Sequence, residues 1–202
     1  MPEQTRERIV DAAWRVLERD GYAAASIKSI ALEAGVAQGL VHYYFASKEL
    51  LVVAALNKCC DELGGIDTSS GAGALARTGF AQARTATPTT IAARRVLVEM
   101  VGRALHDESI RDALLAYLRA QRQGVQDAVV AVVGDGEGEG IPPALVRSAG
   151  PALDAALFGI WAIGLIDPTF DVGEAIDALA EISLRAISTL GMPAAAEPSA
   201  RG

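Results

Sequence analysis

Residues 26–51 read SIKSIALEAGVAQGLVHYYFASKELL, and no other stretch constrains the fold as tightly. Ile27, Ile30, Ala31 and Ala34 recur at helical spacing behind Ser26, a residue type that suits a helix N-cap. Gly35 ends that helix in a tight turn, a second short helix is predicted over residues 37–44, and Ser47 caps a third. Two short helices across a glycine turn, the second tipped with polar and aromatic side chains, are the layout of a DNA-reading helix-turn-helix.

The second helix, AQGLVHYYF, carries the chemistry. The Gln38 amide can both donate and accept along an adenine edge, and Leu40 can touch a thymine methyl. Gly39 allows close backbone approach. His42, Tyr43 and Tyr44 bring rings whose polar ends suit phosphate oxygens, with the Lys48 ammonium beside them. Ser26 and Lys28 open the preceding helix, where free backbone N–H groups favour an anion. Val41 and Phe45, four apart, are expected to face inward. A core cannot absorb the remaining rings as well.

Composition sets bounds on the rest. Apolar residues are 51% of the 202 and charged residues 21%, so the chain is globular. Apolar spacing is helical throughout, which predicts an all-α protein. The net charge of −7 argues against a nucleic-acid partner until it is divided. Residues 1–50 hold six basic and seven acidic side chains, so the acidity lies mostly outside the predicted reader. No apolar run approaches the roughly 20 residues of a membrane span, and no signal peptide is apparent, so a cytoplasmic location is expected. Cys59 and Cys60 are adjacent, poor geometry for a disulfide and too few ligands for zinc, and read as ordinary helix residues.

Along the chain, Ile9, Ala12, Ala13, Val16 and Leu17 give helix 1 an apolar stripe, and Gly21 stands at its C-terminal stop. A glycine-rich break at 64–73 separates this unit from helices predicted at 74–86, 89–105, 108–133, 143–166 and 172–190. The tract GDGEGEG at 134–140 mimics the start of a calcium loop, but Val146 stands where a bidentate Glu is required, so it reads as a solvated linker. The tail from Gly191 is expected to be disordered. Only two histidines occur, His42 in the reader and His106 at a helix corner, and no catalytic set or metal site can be assembled. No enzyme activity and no cofactor are expected.

From residue 151 to 166 only Asp154 is charged, and a helix apolar all round needs burial all round. The last helix has its own stripe. Leu153, Leu157, Ile160 and Trp161, with Ile176, Leu179, Ile182 and Ala186, are the candidate face for a four-helix interface with a second copy. Such a homodimer would read a near-palindromic operator, its two readers about 34–36 Å apart.

Residues 5–56 resemble the N-terminal domain of TetR-family transcriptional regulators. The resemblance rests on Ile9-x-x-Ala12-Ala13, Gly21-Tyr22, Ile30-Ala31-x-x-Ala34-Gly35-Val36, Gly39, Tyr44-Phe45 and Ser47-Lys48-Glu49. Ala37 replaces the family's common Ser at the recognition-helix cap, and His42 takes a position usually held by Tyr. The stretch ALFGIWAIGLIDPTFD at 156–171 is loosely similar to the BetI-like branch of that family.

The resemblance implies a helix-turn-helix domain over 1–50 and a helical effector-binding and dimerisation domain over 51–190, followed by the tail at 191–202. It further implies a dimeric repressor released by a small effector, with a family activator or ligand-independent regulator as the alternative. Phe80, Met100, Tyr117, Phe158 and Trp161 are the candidate effector lining, with Arg103, His106 and Asp154 as polar anchors. Few polar groups are available there, which predicts an apolar or amphipathic ligand.

Overall fold

A computed structural model describes residues 2–62, 72–132 and 142–190. They form helices and no strand: α1 (Pro2–Ala24), α2 (Ile27–Ala34), α3 (Gln38–Tyr44), α4 (Lys48–Glu62), α5 (Ala72–Arg84), α6 (Pro88–Ala104), α7 (Glu108–Val132), α8 (Pro143–Gly164) and α9 (Val172–Leu190). The acidic tract at 134–140, the tail from 191 and most of the break at 64–73 lie outside the described residues. No single helix among the described residues is long and apolar enough to cross a membrane.

Side-chain caps set the helix boundaries. Ser26 and Ser29 form a reciprocal capping box at the start of α2, and Thr87 and Thr90 form another before α6, where Pro88 needs no N–H partner. Asp107 accepts from the Ser109 and Ile110 amides at 2.9 and 3.2 Å, and Asp171 accepts from Glu174 at 2.9 Å, opening α7 and α9. Gly35 adopts the left-handed conformation expected of it. Gly21 goes further: at φ 75°, ψ 169° it occupies a region open essentially to glycine alone, and it breaks α1 just before Tyr22.

The chain divides into two compact units. The first comprises residues 1–65 and 85–121. Here α1 packs against α2, α4 and α6, and α4 also packs on α6. Ile9, Val16, Leu17, Ile30, Val41, Leu51, Val52, Leu56 and Met100 are among its fully buried side chains. The α1 stripe is covered by α4 and α6 as well as by α2, so these helices pack together in one unit.

The second unit comprises residues 66–84 and 122–202, with α9 packed against α5 and α8 and Ile176 at its centre. Pro151 lies inside α8, where it cannot donate to the preceding turn. One turn earlier the ladder is bridged from outside. Gln126 of α7 donates from Nε2 to the Val146 carbonyl at 3.1 Å and accepts the Gly150 amide on Oε1 at 3.2 Å. A Cβ at residue 150 would lie 2.7 Å from the Gln126 Cα, so only glycine permits the approach. Replacing Gln126 with Leu removes both bonds and places an apolar group against the Gly150 amide and Val146 carbonyl, which should lower unfolding stability by about 1–3 kcal/mol in urea denaturation. An unchanged midpoint would show that the bridge contributes nothing.

Candidate nucleic-acid interface

Helix α3 has a buried and an open side. Val41 is fully buried and Phe45 nearly so, which seats the helix on its unit. On the other side Gln38, Gly39 and His42 are exposed, Tyr43 is 79% exposed, and Leu40 and Tyr44 are half-buried. The Tyr43 and Tyr44 rings meet edge to face at 5.1 Å, which holds them as a pair. A Cβ at Gly39 would meet nothing within 4 Å, so no packing within the chain demands glycine there. Ala37 opens the helix with no side-chain cap, leaving its first amides to water or a ligand.

Charge around this face is arranged locally. Arg15 and Arg19 pair with Glu33 at 2.9 and 3.1 Å, and Arg19 also pairs with Asp20, so two reader carboxylates are neutralised on their own surface. Those contacts hold both carboxyls below the usual carboxylate range. Lys28 is exposed on α2. The Arg6 guanidinium stands 5.2 Å from the centroid of Phe45, at the C-terminal end of α3, where a cation is favoured. Arg6 and Phe45 are too far apart in the chain for spacing to reveal this contact.

Behind α3 lies a knot centred on Tyr22. Its ring is buried, with Lys48 Nζ 3.9 Å and the Arg103 guanidinium 4.4 Å from the ring centroid. The Tyr22 hydroxyl donates to Glu49 at 2.6 Å, and Lys48 donates to the Tyr22 carbonyl at 2.7 Å. Arg103 approaches Glu49 at 4.0 Å. Burial, then the hydrogen bond to Glu49, pushes the Tyr22 hydroxyl up and keeps it a donor. Burial also lowers Lys48. Burial alone would raise Glu49, but the Tyr22 hydroxyl, its own amide, Arg103 and Ser47 together outweigh it and bring the carboxyl down.

Comparison with known proteins bears on this arrangement. Residues 9–55 match the bacterial regulatory proteins of the tetR family. That match covers α2, α3 and the helices on either side of them. The transcriptional regulator BetI of Brucella anthropi is 31% identical over 117 residues, 58% of this chain and 55% of that protein, so the match spans little more than half of the relative. A putative TetR-family regulator from Rhodococcus sp. superposes with a TM-score of 0.74 over 94% of this chain and all of that one, at 21% identity. The multidrug binding protein EbrR, solved with ethidium, superposes at 0.60 over 88% and 98%, at 25% identity. The matched family and these relatives are regulators or binding proteins, and the helical fold shared with the two solved structures covers 94% and 88% of this chain.

Several expected site residues turn out to have partners within the chain. Lys48, expected beside phosphate, is half-buried and committed to the Tyr22 carbonyl. The Ser26 hydroxyl accepts the Ser29 amide as a cap. Among the effector candidates, Met100, Arg103 and Tyr117 belong to the reader's unit, whereas Phe80, Asp154, Phe158 and Trp161 belong to the other. Met100 is fully buried core, Arg103 stacks on Tyr22, and the Tyr117 hydroxyl lies 3.1 Å from Cys60 Sγ. His106 is exposed at the α6–α7 corner.

Of the candidate dimer residues, Ile176 is fully buried in its own unit and cannot meet a partner. Trp161 donates from Nε1 to the Ala83 carbonyl on α5, and Leu153, Leu157 and Ile160 are half-buried beside it. The sequence showed an apolar helix but not which arc faced out. Ile182 and Ala186 are exposed, and Leu179 is half-buried.

The knot has a pH signature. Glu49's folded pKa lies below its ordinary 4.5, so its stabilisation is complete above that value and is lost as pH falls through the depressed one. Glu49→Gln should therefore cost about 1–3 kcal/mol at pH 7 and less at pH 3, read by urea denaturation at both. An equal cost at the two pH values would contradict the assignment.

Proposed function

We propose that this chain is a transcriptional regulator of the ligand-responsive repressor type, acting in the cytoplasm. In this reading it binds a near-palindromic operator as a homodimer and is released by a small apolar or amphipathic effector. The observation that carries the proposal is the open ridge of Gln38, His42 and Tyr43 on a helix whose other side is buried. A major groove admits such a helix, and those side-chain types serve base edges and phosphates.

Dimerisation is supported by the outer arcs of α8 and α9. Ala152, Ala155 and Ile163 on α8, and Ala178, Ile182 and Ala186 on α9, are exposed at helical spacing, with Ile163 and Ile182 at 48% and 67%. Small residues between two isoleucines let helices approach closely. A permanent four-helix interface commonly buries more than about 2,000 Å².

Effector control is supported by the ethidium complex of EbrR and by the path from α6 to the reader. Arg103 of α6 and Lys48 and Glu49 of α4 hold the same Tyr22, so a shift of α6 alters the seat of α4 and, through α1, that of α3. An effector acts only through its difference in affinity between the two states, typically about 1–3 kcal/mol.

Fluorescence anisotropy on the intergenic DNA beside the gene, across a salt series and against scrambled competitor, tests the reading. Tight, competitor-resistant binding by the dimer is expected. Tyr43→Ala should weaken it about tenfold or more with folding intact. Ile182→Glu should give monomers in sedimentation equilibrium and a comparable loss of affinity. A monomeric Ile182→Glu with wild-type operator affinity would contradict the dimer reading, and binding abolished by competitor would contradict the reader.

A further inference from the structure

The packed face of α1 ends in a cation. Val10, Ala13 and Leu17 are buried at i+4, i+7 and i+11 from Arg6, so Arg6 continues their face toward the start of the helix. An apolar residue would lengthen the stripe. Arg6 is exposed instead, and its guanidinium stands 5.2 Å from the centroid of the buried Phe45, just past the end of α3. At such an edge arginine lays its stem along apolar surface and keeps its charged head in water. The head is thereby held beside the last turn of the recognition helix, which carries the Tyr43–Tyr44 pair.

Half of the reader's cations are already engaged. Residues 1–50 hold six basic side chains, Arg6, Arg8, Arg15, Arg19, Lys28 and Lys48. Arg15 and Arg19 pair with Glu33, and the half-buried Lys48 donates to the Tyr22 carbonyl. Arg6, Arg8 and Lys28 are exposed, and no hydrogen bond or ion pair among the described residues engages them. That holds for Arg6 even though Glu3 and Glu7 flank it on α1. Arg8 shares its side of α1 with Arg15 and Arg19, at i+7 and i+11, opposite the stripe that Arg6 continues. Arg6 is therefore the unengaged cation of α1 that stands at α3. An unpaired guanidinium keeps its fork of N–H donors for an outside acceptor, and phosphate oxygens match that fork.

We propose that Arg6 is a DNA-backbone clamp of this reader, its guanidinium gripping a phosphate beside the C-terminal end of α3 when that helix lies in the major groove. It takes the part that Lys48, committed to Tyr22, cannot play. The proposal adds a contact residue to the DNA-reading function above and rests on it. Phe45 positions the guanidinium and the guanidinium meets the phosphate. A phosphate contact fixes register and carries no base preference. Arg6 therefore strengthens binding to any duplex, while the open ridge of α3 discriminates between sequences.

The test is anisotropy on the full-length protein with the intergenic duplex and a scrambled one, each across a salt series. Arg6→Met keeps an apolar stem against Phe45 and removes the charge, and Arg6→Gln serves if the first variant does not fold. Affinity for both duplexes should fall by the same factor, about five- to tenfold per bound subunit near 0.1 M salt. The slope of log affinity against log salt should become shallower by about 0.9 per subunit. Arg6→Lys should restore that slope, and Lys48→Met should change it less than Arg6→Met does. A purely structural contact with Phe45 would lower the melting temperature and leave the slope alone. An unchanged slope in the folded variant, a loss confined to the intergenic duplex, or a larger slope change in Lys48→Met would each overturn the proposal. Wild-type protein without competitor-resistant binding sinks the reader itself, whereas normal wild-type binding with an unchanged Arg6→Met slope sinks only the clamp.

Discussion

The junction of α1, α4 and α6 depends on how Tyr22 is seated. The ring has two cations against it, with the hydroxyl on a carboxylate and the Tyr22 carbonyl on one of the same cations. Two glycine-dependent facts place it there. Gly21 takes a conformation that side chains resist, turning the chain out of α1, and Gly35 lets α2 end so that α3 can cross. The charges around the ring then do what apolar packing alone would not. They fix the angle at which α4 leaves the reader, because Lys48 and Glu49 are the first two residues of α4.

The same knot explains why a small three-helix reader is not left to its own stability. Seven- and eight-residue helices are marginal in isolation. Here α2 borrows its order from α1, whose stripe is also buried by α4 and α6, and α3 packs in turn on α2. Within this unit α4 and α6 are therefore joined to α1 both by packing and by polar contacts through Tyr22. A change in α6 reaches α1 along both routes.

How legible this was in the sequence follows from the range of each interaction. Helix boundaries came within about two residues because caps and glycines act locally: Ser26, Thr87, Pro88, Asp107 and Gly35 each act within a turn. The inward Val41 and Phe45 followed from spacing alone. Partners across the fold were invisible. Nothing in the spacing joins Tyr22 to Arg103, Arg6 to Phe45 or Trp161 to Ala83. Lys48 looked like a phosphate ligand because its neighbours do, and Ile176 looked like an interface residue because an apolar stripe does not say which side faces out.

If Arg103, which lies outside the helix-turn-helix, acts on DNA binding through Tyr22, removing its charge must weaken the operator complex. The direct measurement is operator affinity by anisotropy for wild type and Arg103→Met, at equal dimer occupancy and with melting curves taken on both. Operator binding is expected to weaken by about three- to tenfold, a loss on the scale of one cation–π contact, while the variant stays folded. Unchanged operator affinity in a folded, dimeric Arg103→Met would contradict it, leaving the knot as a structural clamp with no part in DNA reading.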